Sequence, residues 1–324
     1  MESLMVTTVN NILRSIHRAQ SSEIDKLNIL TICRNTEKYI GLLCQTQHNF
    51  YIPAQQPWND AIEKRPSNLY TLLQDSEPLD YIICYDRAEQ YEEALQMSRK
   101  LHVPIILVDM CSQFLVRPHH LLEDMKVVDS NTLNRNVILQ IYSNNHIGMS
   151  WSNSTPSITI PIGINVHKFQ NQQLDQTLIS MDNNTIPQVG AHVAKHIRAL
   201  YPILPTDHDN IEDITFNKTR YFINTNKSIT VKTLEAMAAG NVVICMKNRD
   251  TENFIKDQET GILINEVEEL PTIIQFLEKE NNIRTKISQQ ARQKIILEHS
   301  LETFLTKWVV AFNMVKSAFY NHPI

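Results

Sequence analysis

The feature that most constrains the fold of this chain is a series of short apolar segments separated by segments of helical pattern. Five apolar segments lie in the first half: "KLNILTIC", "DYIICYD", "VPIILVDM", "NVILQIYS" and "SITIPIGIN". Between the second and the third, "AEQYEEALQMSRKL" places Tyr91, Leu95 and Leu101 at mostly helical spacing. Short apolar strands that alternate with helices predict a parallel sheet covered on both faces. The first half is therefore predicted to form one Rossmann-like domain.

A second series of the same kind follows "PIGINVHKF", where Pro161 and Gly163 break the strand pattern. The strand-like segments are "TLISMD", "TRYFINTN", "NVVICMKN" and "TGILIN", and "VGAHVAKHIRALY", "VKTLEAMAAG" and "ELPTIIQFLEKENNIRTKISQQARQKIILEH" have a helical pattern. The last segment begins with Ser300 as a predicted helix cap, and Trp308 lies in its apolar stripe. The sequence thus predicts an α/β protein with two Rossmann-like domains that face each other across a cleft, where ligands bind.

The bulk composition excludes several classes of protein. A chain of 324 residues with 42% hydrophobic residues is long enough for two domains, and a net charge of −5 does not favour a general binder of nucleic acid backbones. No apolar run approaches the roughly 20 residues of a membrane span. The start of the chain has the pattern of an amphipathic helix and not of a signal peptide. Five scattered cysteines with no C-x-x-C pair indicate free thiols, so the predicted compartment is the cytosol.

Metal and dinucleotide sites find little support in the sequence. His119 and His120 could be metal ligands, but adjacent side chains diverge and no carboxylate pair has a matching spacing, so we expect no metal site. The chain contains neither G-x-x-x-x-G-K-[ST] nor G-x-G-x-x-G, which argues against a P-loop ATPase or a dinucleotide dehydrogenase. We expect no bound cofactor.

The segment "SITVKTLEAMAAGNVVICMKN" is the candidate binding element. A helix that starts near Thr230, just after a strand, directs its first N–H groups outward and makes an anion site, to which Ser228 and Thr230 add hydroxyls and Lys232 adds a charge. Glu235 lies on the same face as Lys232 and could accept hydrogen bonds from two neighbouring hydroxyls. A site for phosphate beside a site for two neighbouring hydroxyls matches the groups of a ribose diphosphate. The alternative is an ordinary surface Lys–Glu pair on an Ala-rich packing helix.

Three segments resemble the GT-B glycosyltransferases of the large retaining group often called family four. They are "LEAMAAGNVVICMKNRDTENFIKDQETGILI", "IPIGINVHKF" and "ARQKIILEHSLETFLTKW". More weakly, "PWNDAIEKRPSNL" is similar to the amino half of phage-type and bacterial members. The resemblance implies an acceptor-side domain over residues 1–165, a nucleotide-sugar domain over 166–302, and a C-terminal helix over 303–324 that packs back on the first domain.

The resemblance also implies roles for individual residues. Lys232 and Thr230 would meet the diphosphate, Glu235 the ribose hydroxyls, and Gly163 would let its loop approach the sugar diphosphate. The activity would be transfer of a sugar from a nucleotide-diphosphate sugar to an acceptor hydroxyl with retention, the acceptor being a glycan, a protein or a modified DNA base. Lys232 would stabilise the leaving diphosphate, so that no metal is needed. Asp109 is either the base that receives the acceptor proton or a strand-end cap.

The chain departs from the family pattern at three places. Lys227 stands where many members have a second Glu, and Met110 and Cys111 stand where many have a His. The base that usually follows the first strand of the second domain has no clear counterpart, since Lys195 is the nearest. These departures keep open a second reading, in which the protein binds sugar nucleotides or acts as a scaffold without catalysing transfer.

Overall fold

The computed structural model describes residues 26–32, 36–73, 78–85, 89–110, 136–150, 155–169, 177–181, 195, 197, 200–205, 215–226 and 228–321. These residues form two compact units. One lies within Met1–Pro161 together with Phe304–Ile324, and the other lies within Ile162–Thr303. The predicted N-terminal amphipathic helix falls outside the described residues.

In the first unit, the described residues form seven parallel strands. They are β1 (Asn28–Thr31), β2 (Asn49–Pro53), β3 (Leu69–Leu72), β4 (Tyr81–Cys84), β5 (Ile105–Asp109), β6 (Val137–Tyr142) and β7 (Ser157–Thr159). The strand order is β3-β2-β1-β4-β5-β6-β7, so the direction of winding reverses between β1 and β4. Every residue of β1, β4 and β5 is buried, because helices cover both faces of a doubly wound sheet. The described helices before the second unit are α1 (Glu37–Leu43), α2 (Glu89–Leu101) and α3 (Asn145–Ser150).

In the second unit, the part of the chain that the structure describes forms five parallel strands. Its strands are β8 (Ile179–Met181), β9 (Ile203–Pro205), β10 (Tyr221–Asn224), β11 (Val242–Met246) and β12 (Ile262–Ile264). In the order β12-β11-β10-β8-β9, the winding direction of the described strands reverses between β8 and β10. Open α/β sheets bind ligands beyond the carboxyl ends of their strands at such a switch point. The sheet topology alone therefore directs attention to the residues that follow β10.

The structure gives the bounds of four helices in this unit, and its sheet has a hydrophobic cluster on each face. The helices are α4 (Val231–Ala238), α5 (Arg249–Phe254), α6 (Leu270–Lys279) and α7 (Asn281–His299). Tyr221 and Ile223 of β10 pack in one cluster with α6, whereas Phe222 packs in the other with α4. This alternation follows from the two-residue period of a strand. The cluster that contains Phe222 fixes α4, and therefore the loop before it, against the sheet.

The last helix, α8 (Leu301–Asn321), begins as the sequence predicted. Ser300 Oγ accepts a hydrogen bond from Thr303 N at 3.2 Å, which caps the helix. Trp308 is fully buried and donates its indole N–H to the Tyr39 hydroxyl of α1 at 3.3 Å. Phe312 of α8 meets the ring of His48 edge-on at 5.0 Å. Between Phe304 and Phe312, α8 thus packs on α1 and on His48 of the first unit.

A buried polar network supports the turn between α4 and β11. Asn241 is 1% exposed, donates to Phe216 O at 2.7 Å and accepts from the Thr219 hydroxyl at 2.6 Å. The Thr219 and Ser180 hydroxyls lie 3.0 Å apart. Because buried polar groups cost free energy unless they are paired, this network fixes the position of the turn that ends α4.

A charged cluster at the amino edge of the second sheet is centred on Glu278 of α6. Its carboxylate pairs with Arg220 at 2.8 Å and with Arg284 at 3.0 Å, and it accepts hydrogen bonds from the Tyr221 hydroxyl at 2.6 Å and from Thr177. Burial alone would raise the pKa of Glu278, but the two hydroxyl hydrogen bonds and the two guanidinium charges outweigh it and hold the pKa below its usual value.

Replacing Glu278 with glutamine is expected to lower the free energy of unfolding by about 1–2 kcal/mol at pH 7, because two partly buried guanidinium groups lose their counter-charge. A depressed carboxyl pKa contributes stability above the unfolded value and loses it as the pH falls through the folded value. The deficit of E278Q should therefore shrink below about pH 4. Urea unfolding of both proteins across this range measures it. E298Q, which removes an exposed partner of Lys294, is the control and should change little.

Within the described part of the chain, no helix has both the length and the apolar character needed to cross a membrane.

Candidate functional site

The candidate site is the loop that joins β10 to α4. The loop runs from Thr225 to Thr230, beyond the carboxyl end of β10 and beside the switch point of the second sheet. Thr225 is 9% exposed and Asn226 is 6% exposed. A polar loop directly in front of a helix, at the carboxyl end of a parallel strand, is a common setting for binding an anionic group in α/β proteins.

Asn224, the last residue of β10, shapes this loop. Its carboxamide is 1% exposed, accepts from Asn226 N at 2.9 Å and donates to Ser228 O at 2.8 Å. The side chain therefore closes the loop from within, as asparagine does in Asx turns. We did not predict this role from the sequence. The sequence does contain a signal for such a loop, because "INTN" places one asparagine at the end of an apolar strand and a second asparagine two residues later.

The N-terminus of α4 is held by a capping box. The Thr230 hydroxyl accepts from Thr233 N, and the Thr233 hydroxyl accepts from Thr230 N, both at 3.3 Å. This fixes the direction of the helix axis and so the position of the partial positive charge at its start. The Thr230 hydroxyl, which the sequence assigned to the diphosphate, is already engaged in the cap. Ser228 lies half-buried just before it.

Lys232 and Glu235 lie on α4, on the side away from its fully buried residues. Both are half-buried, whereas Leu234, Ala236 and Met237 have no more than 2% exposure. The structure thus brings Ser228, Thr230, Lys232 and Glu235 into a single loop and helix start. Their contact with a nucleotide stays a prediction.

The small residues at the end of α4 have a packing function. Ala236 and Ala238 are fully buried in the cluster that also contains Ala291 of α7. Gly240 has φ of 80°, and Asn241 N donates to Ala236 O at 2.9 Å, which is the hydrogen-bond pattern of a Schellman helix end. Ser288 of α7 donates to Gly240 O at 2.5 Å. The alanines and the glycine therefore let α7 approach α4 closely, and this positions the helix that carries Lys232.

Cys245 lies directly beside this site without being reactive. It pairs in register with Asn224 across β10 and β11 and is fully buried. Burial raises the pKa of its thiol to about 12, and the hydrogen bond with Asn224 lowers it only in part. A thiol with this pKa stays protonated at neutral pH, so Cys245 is excluded as a nucleophile. The described cysteines, which are Cys44, Cys84 and Cys245, are all buried free thiols, as the sequence predicted.

Gly163 lies in the same unit as α4, in the segment that precedes a short 3₁₀ turn at Val166–Lys168. The glycine itself is buried. Its neighbours Ile162 and Ile164 belong to the hydrophobic cluster that also contains Val231 and Leu234 of α4. The Gly163 segment and the start of α4 thus share one core, which fixes each of them relative to the sheet.

Asp109 lies in the first unit, at the carboxyl end of β5. The residue is buried, with 4% of its surface exposed, and its main-chain carbonyl accepts a hydrogen bond from Ser143 N at 3.1 Å. Met110, the next residue, is half-buried. Both interpretations of Asp109, a general base or a strand-end cap, stay open. Lys227, Cys111, His119 and His120 lie outside the described residues, and Lys195 is exposed.

A separate cavity of about 330 Å³ lies near the carboxyl ends of β11 and β12. Its lining includes Lys247, Lys256 and Glu252 but none of the predicted donor-binding residues. Lys247 pairs with Glu252 at 3.2 Å, and Lys256 pairs with Glu259 at 2.7 Å. Since its lysines are neutralised by neighbouring carboxylates, the cavity is a poor match for a diphosphate. Among the residues that the structure describes, no cluster of three metal-ligating side chains occurs.

Residues 210–309 match a family described as glycosyl transferase-like, and this range contains the whole β10–α4 element. A search of curated protein sequences found no significant match.

Solved structures resemble most of the chain. Anabaena HepE in complex with UDP has 13% identity and a TM-score of 0.68, covering 89% of this chain and 100% of its own. A glycosyltransferase from Rickettsia africae has 13% identity and a TM-score of 0.63, covering 90% and 99%. Sucrose-phosphate synthase from Thermosynechococcus elongatus has 10% identity and a TM-score of 0.70, covering 90% and 100%. The chain therefore has the GT-B fold, and the fold that the sequence resemblance implied is confirmed.

Proposed function

We propose that this protein is a glycosyltransferase that moves a sugar from a nucleotide-diphosphate sugar to an acceptor hydroxyl with retention of configuration. One observation carries the proposal: Lys232 and Glu235 lie half-buried at a capped helix start beside the switch point of a parallel sheet. This element falls within the segment that matches glycosyl transferase-like proteins, on a chain with the GT-B fold.

The chemistry follows from the charges of this element. The donor diphosphate binds at the N-terminus of α4 and to Lys232, and the ribose hydroxyls bind to the Glu235 carboxylate. When the glycosidic bond to the donor breaks, negative charge develops on the leaving diphosphate, and Lys232 and the helix dipole stabilise it. Such catalysis depends on placing the acceptor and on this stabilisation, and it needs neither a covalent nucleophile nor a metal ion.

The donor we propose is a UDP-sugar, since HepE was solved in complex with UDP and with UDP-glucose. The test is a panel of UDP-, GDP- and ADP-sugars, with thermal stabilisation and slow hydrolysis as the two readouts. We expect at least one UDP-sugar to raise the melting temperature and to be hydrolysed slowly. If no nucleotide sugar stabilises the protein, the proposal is wrong.

The second candidate is a protein that binds sugar nucleotides without transferring the sugar. The observation in its favour is the set of departures at Lys227 and Met110, which replace side chains that many family members direct at the sugar. Stabilisation by a UDP-sugar with no hydrolysis, and no transfer to any acceptor pool, would select this candidate.

The acceptor we propose is a glycan, a protein or a modified DNA base, each of which supplies a hydroxyl. If Asp109 receives the acceptor proton, it does so from its buried position at the end of β5. The proposed compartment is the cytosol, because the described cysteines are not joined in disulfides.

Replacing Glu235 with glutamine is expected to weaken binding of the ribonucleotide donor about tenfold, which corresponds to ~1.4 kcal/mol. Glutamine keeps the size of the side chain but loses the charge and one acceptor oxygen. Binding of the matching 2′-deoxy donor should hardly change, because one of the two contacts is already absent. Calorimetric titration of both donors against both proteins gives the four affinities of a double-mutant cycle. Strictly additive losses would mean that Glu235 does not contact the 2′-hydroxyl.

A further inference from the structure

The segment that contains Gly163 is tied to the end of α7 by main-chain hydrogen bonds. Ile164 N donates to His299 O at 2.7 Å, and Leu301 N donates to Ile164 O at 3.0 Å. Ile164 and Ser300 form an isolated parallel bridge. The end of α7 thus acts as a short strand partner for the residues around Gly163.

The His299 side chain adds a second connection to the same segment. Its Nδ1 lies 3.0 Å from Ile162 O. A carbonyl oxygen can only accept, so Nδ1 carries the proton and donates. His299 therefore bonds both residues that flank Gly163, the carbonyl of Ile162 through its side chain and the N–H of Ile164 through its main chain.

The surroundings of His299 hold its ring in place. The residue is 7% exposed, and the Phe254 ring meets it edge-on at 5.5 Å. The Phe254 ring is itself held by Lys294, whose ammonium group lies 4.7 Å from the centre of that ring. A buried and oriented imidazole that bonds a loop carbonyl 137 residues away fixes that loop far more specifically than apolar packing would.

We infer that His299 is a positioning residue for donor binding: its Nδ1–H sets the conformation of Ile162–Ile164 and thereby the place of Gly163. The inference rests on the proposed function in one respect, because Gly163 contacts the donor only if the protein binds a nucleotide sugar. His299 itself touches neither donor nor acceptor in this scheme. Without the Nδ1–H bond, the partly buried Ile162 carbonyl lacks its partner and the segment moves to find another.

Three substitutions separate the hydrogen bond from the bulk of the ring. Asparagine places an amide N–H the same number of bonds from the backbone as Nδ1, glutamine places it one bond further, and leucine removes it. The matched control is His167→Leu, since His167 is exposed in the same unit and its side chain holds no assigned role. Melting temperatures of all variants report whether each of them folds.

Hydrogen exchange and donor affinity are the two readouts. H299L and H299Q are expected to raise amide exchange in the peptide 160–169 about tenfold, with no change in the peptide 270–279 of α6. They should also weaken UDP-glucose binding about tenfold with a smaller effect on kcat, and H299N should restore both properties. Wild-type exchange and affinity in H299L and H299Q would overturn the inference. If the wild-type protein binds no nucleotide sugar, the proposed function fails, and exchange in 160–169 alone decides the role of His299.

Discussion

Replacing Trp308 with alanine is expected to lower the free energy of unfolding of the first unit by about 3–5 kcal/mol. Trp308 has no exposed surface and lies in a cluster of rings with Tyr39, Phe304 and Phe312 at centroid distances of 5.2–6.4 Å. The substitution leaves a large cavity and also removes the indole N–H that donates to the Tyr39 hydroxyl. Urea unfolding followed by circular dichroism measures the loss.

The control for this experiment is the next residue of α8. Val309 is 41% exposed, so Val309→Ala changes helix propensity and surface but creates no cavity, and its effect should stay within about 0.5 kcal/mol. If both variants unfold at the same urea concentration, Trp308 does not hold α8 on the first unit. Because each unit can unfold separately, the urea unfolding should be followed with one spectroscopic probe in each unit.

The sequence predicted the central strands better than the edge strands. β1, β4 and β5 are buried at every position, and such continuous apolar runs stand out from their surroundings. β3 and β9 are edge strands, and β3 exposes part of its length, so its residues "LYTL" have no distinctive pattern. β3 and β9 were missed for this reason, and β2, an inner strand, was missed because its first residues alternate between half-buried and buried. Strand burial on both faces is visible in a sequence, and burial on one face is easily lost in short segments.

Helix ends were predicted where the chain itself supplies the signal. The Ser300 cap of α8 is such a case. The residues from 270 to 299 read as one helical stretch, but the structure divides them into α6 and α7 at Glu280, whose backbone leaves the helical region with φ −97° and ψ 66°. Nothing in "EKENN" marks the break strongly, because glutamate, lysine and asparagine are all tolerated in helices.

The residues of the candidate site also fall into a predicted group and a group that was missed. Ser228, Thr230, Lys232 and Glu235 are close in the sequence, so a local motif was sufficient to group them. The roles of Asn224 and His299 depend on contacts within a folded loop or across 137 residues, which periodicity cannot reveal. Binding residues that are close in the sequence can thus be predicted from a motif, whereas the hydrogen bonds that position them are found only in the structure.

Replacing Lys232 with alanine is expected to weaken UDP and UDP-sugar binding by about 1.5–3 kcal/mol, the contribution of a charge-assisted hydrogen bond. This corresponds to a loss of affinity between about tenfold and about 150-fold. Uridine should bind almost as well as before, because it has no phosphate. The expected loss for UDP is electrostatic, because Lys232 lies half-buried at the start of α4, where its charge adds to the helix dipole. Calorimetric titration of UDP and uridine against both proteins measures the difference.

Two further variants make the result specific to the Lys232 charge. Lys232→Met keeps most of the alkyl stem, so an equal loss in the Met and Ala variants would assign the effect to the ammonium group and not to packing. Lys279→Ala removes an exposed lysine beside Glu278, whose partners Arg220 and Tyr221 lie at the opposite end of β10, and should leave UDP affinity unchanged. Equal losses for UDP and uridine in Lys232→Ala would mean that the lysine does not contact phosphate. The helix start would then be a packing element whose Lys232 and Glu235 are surface charges.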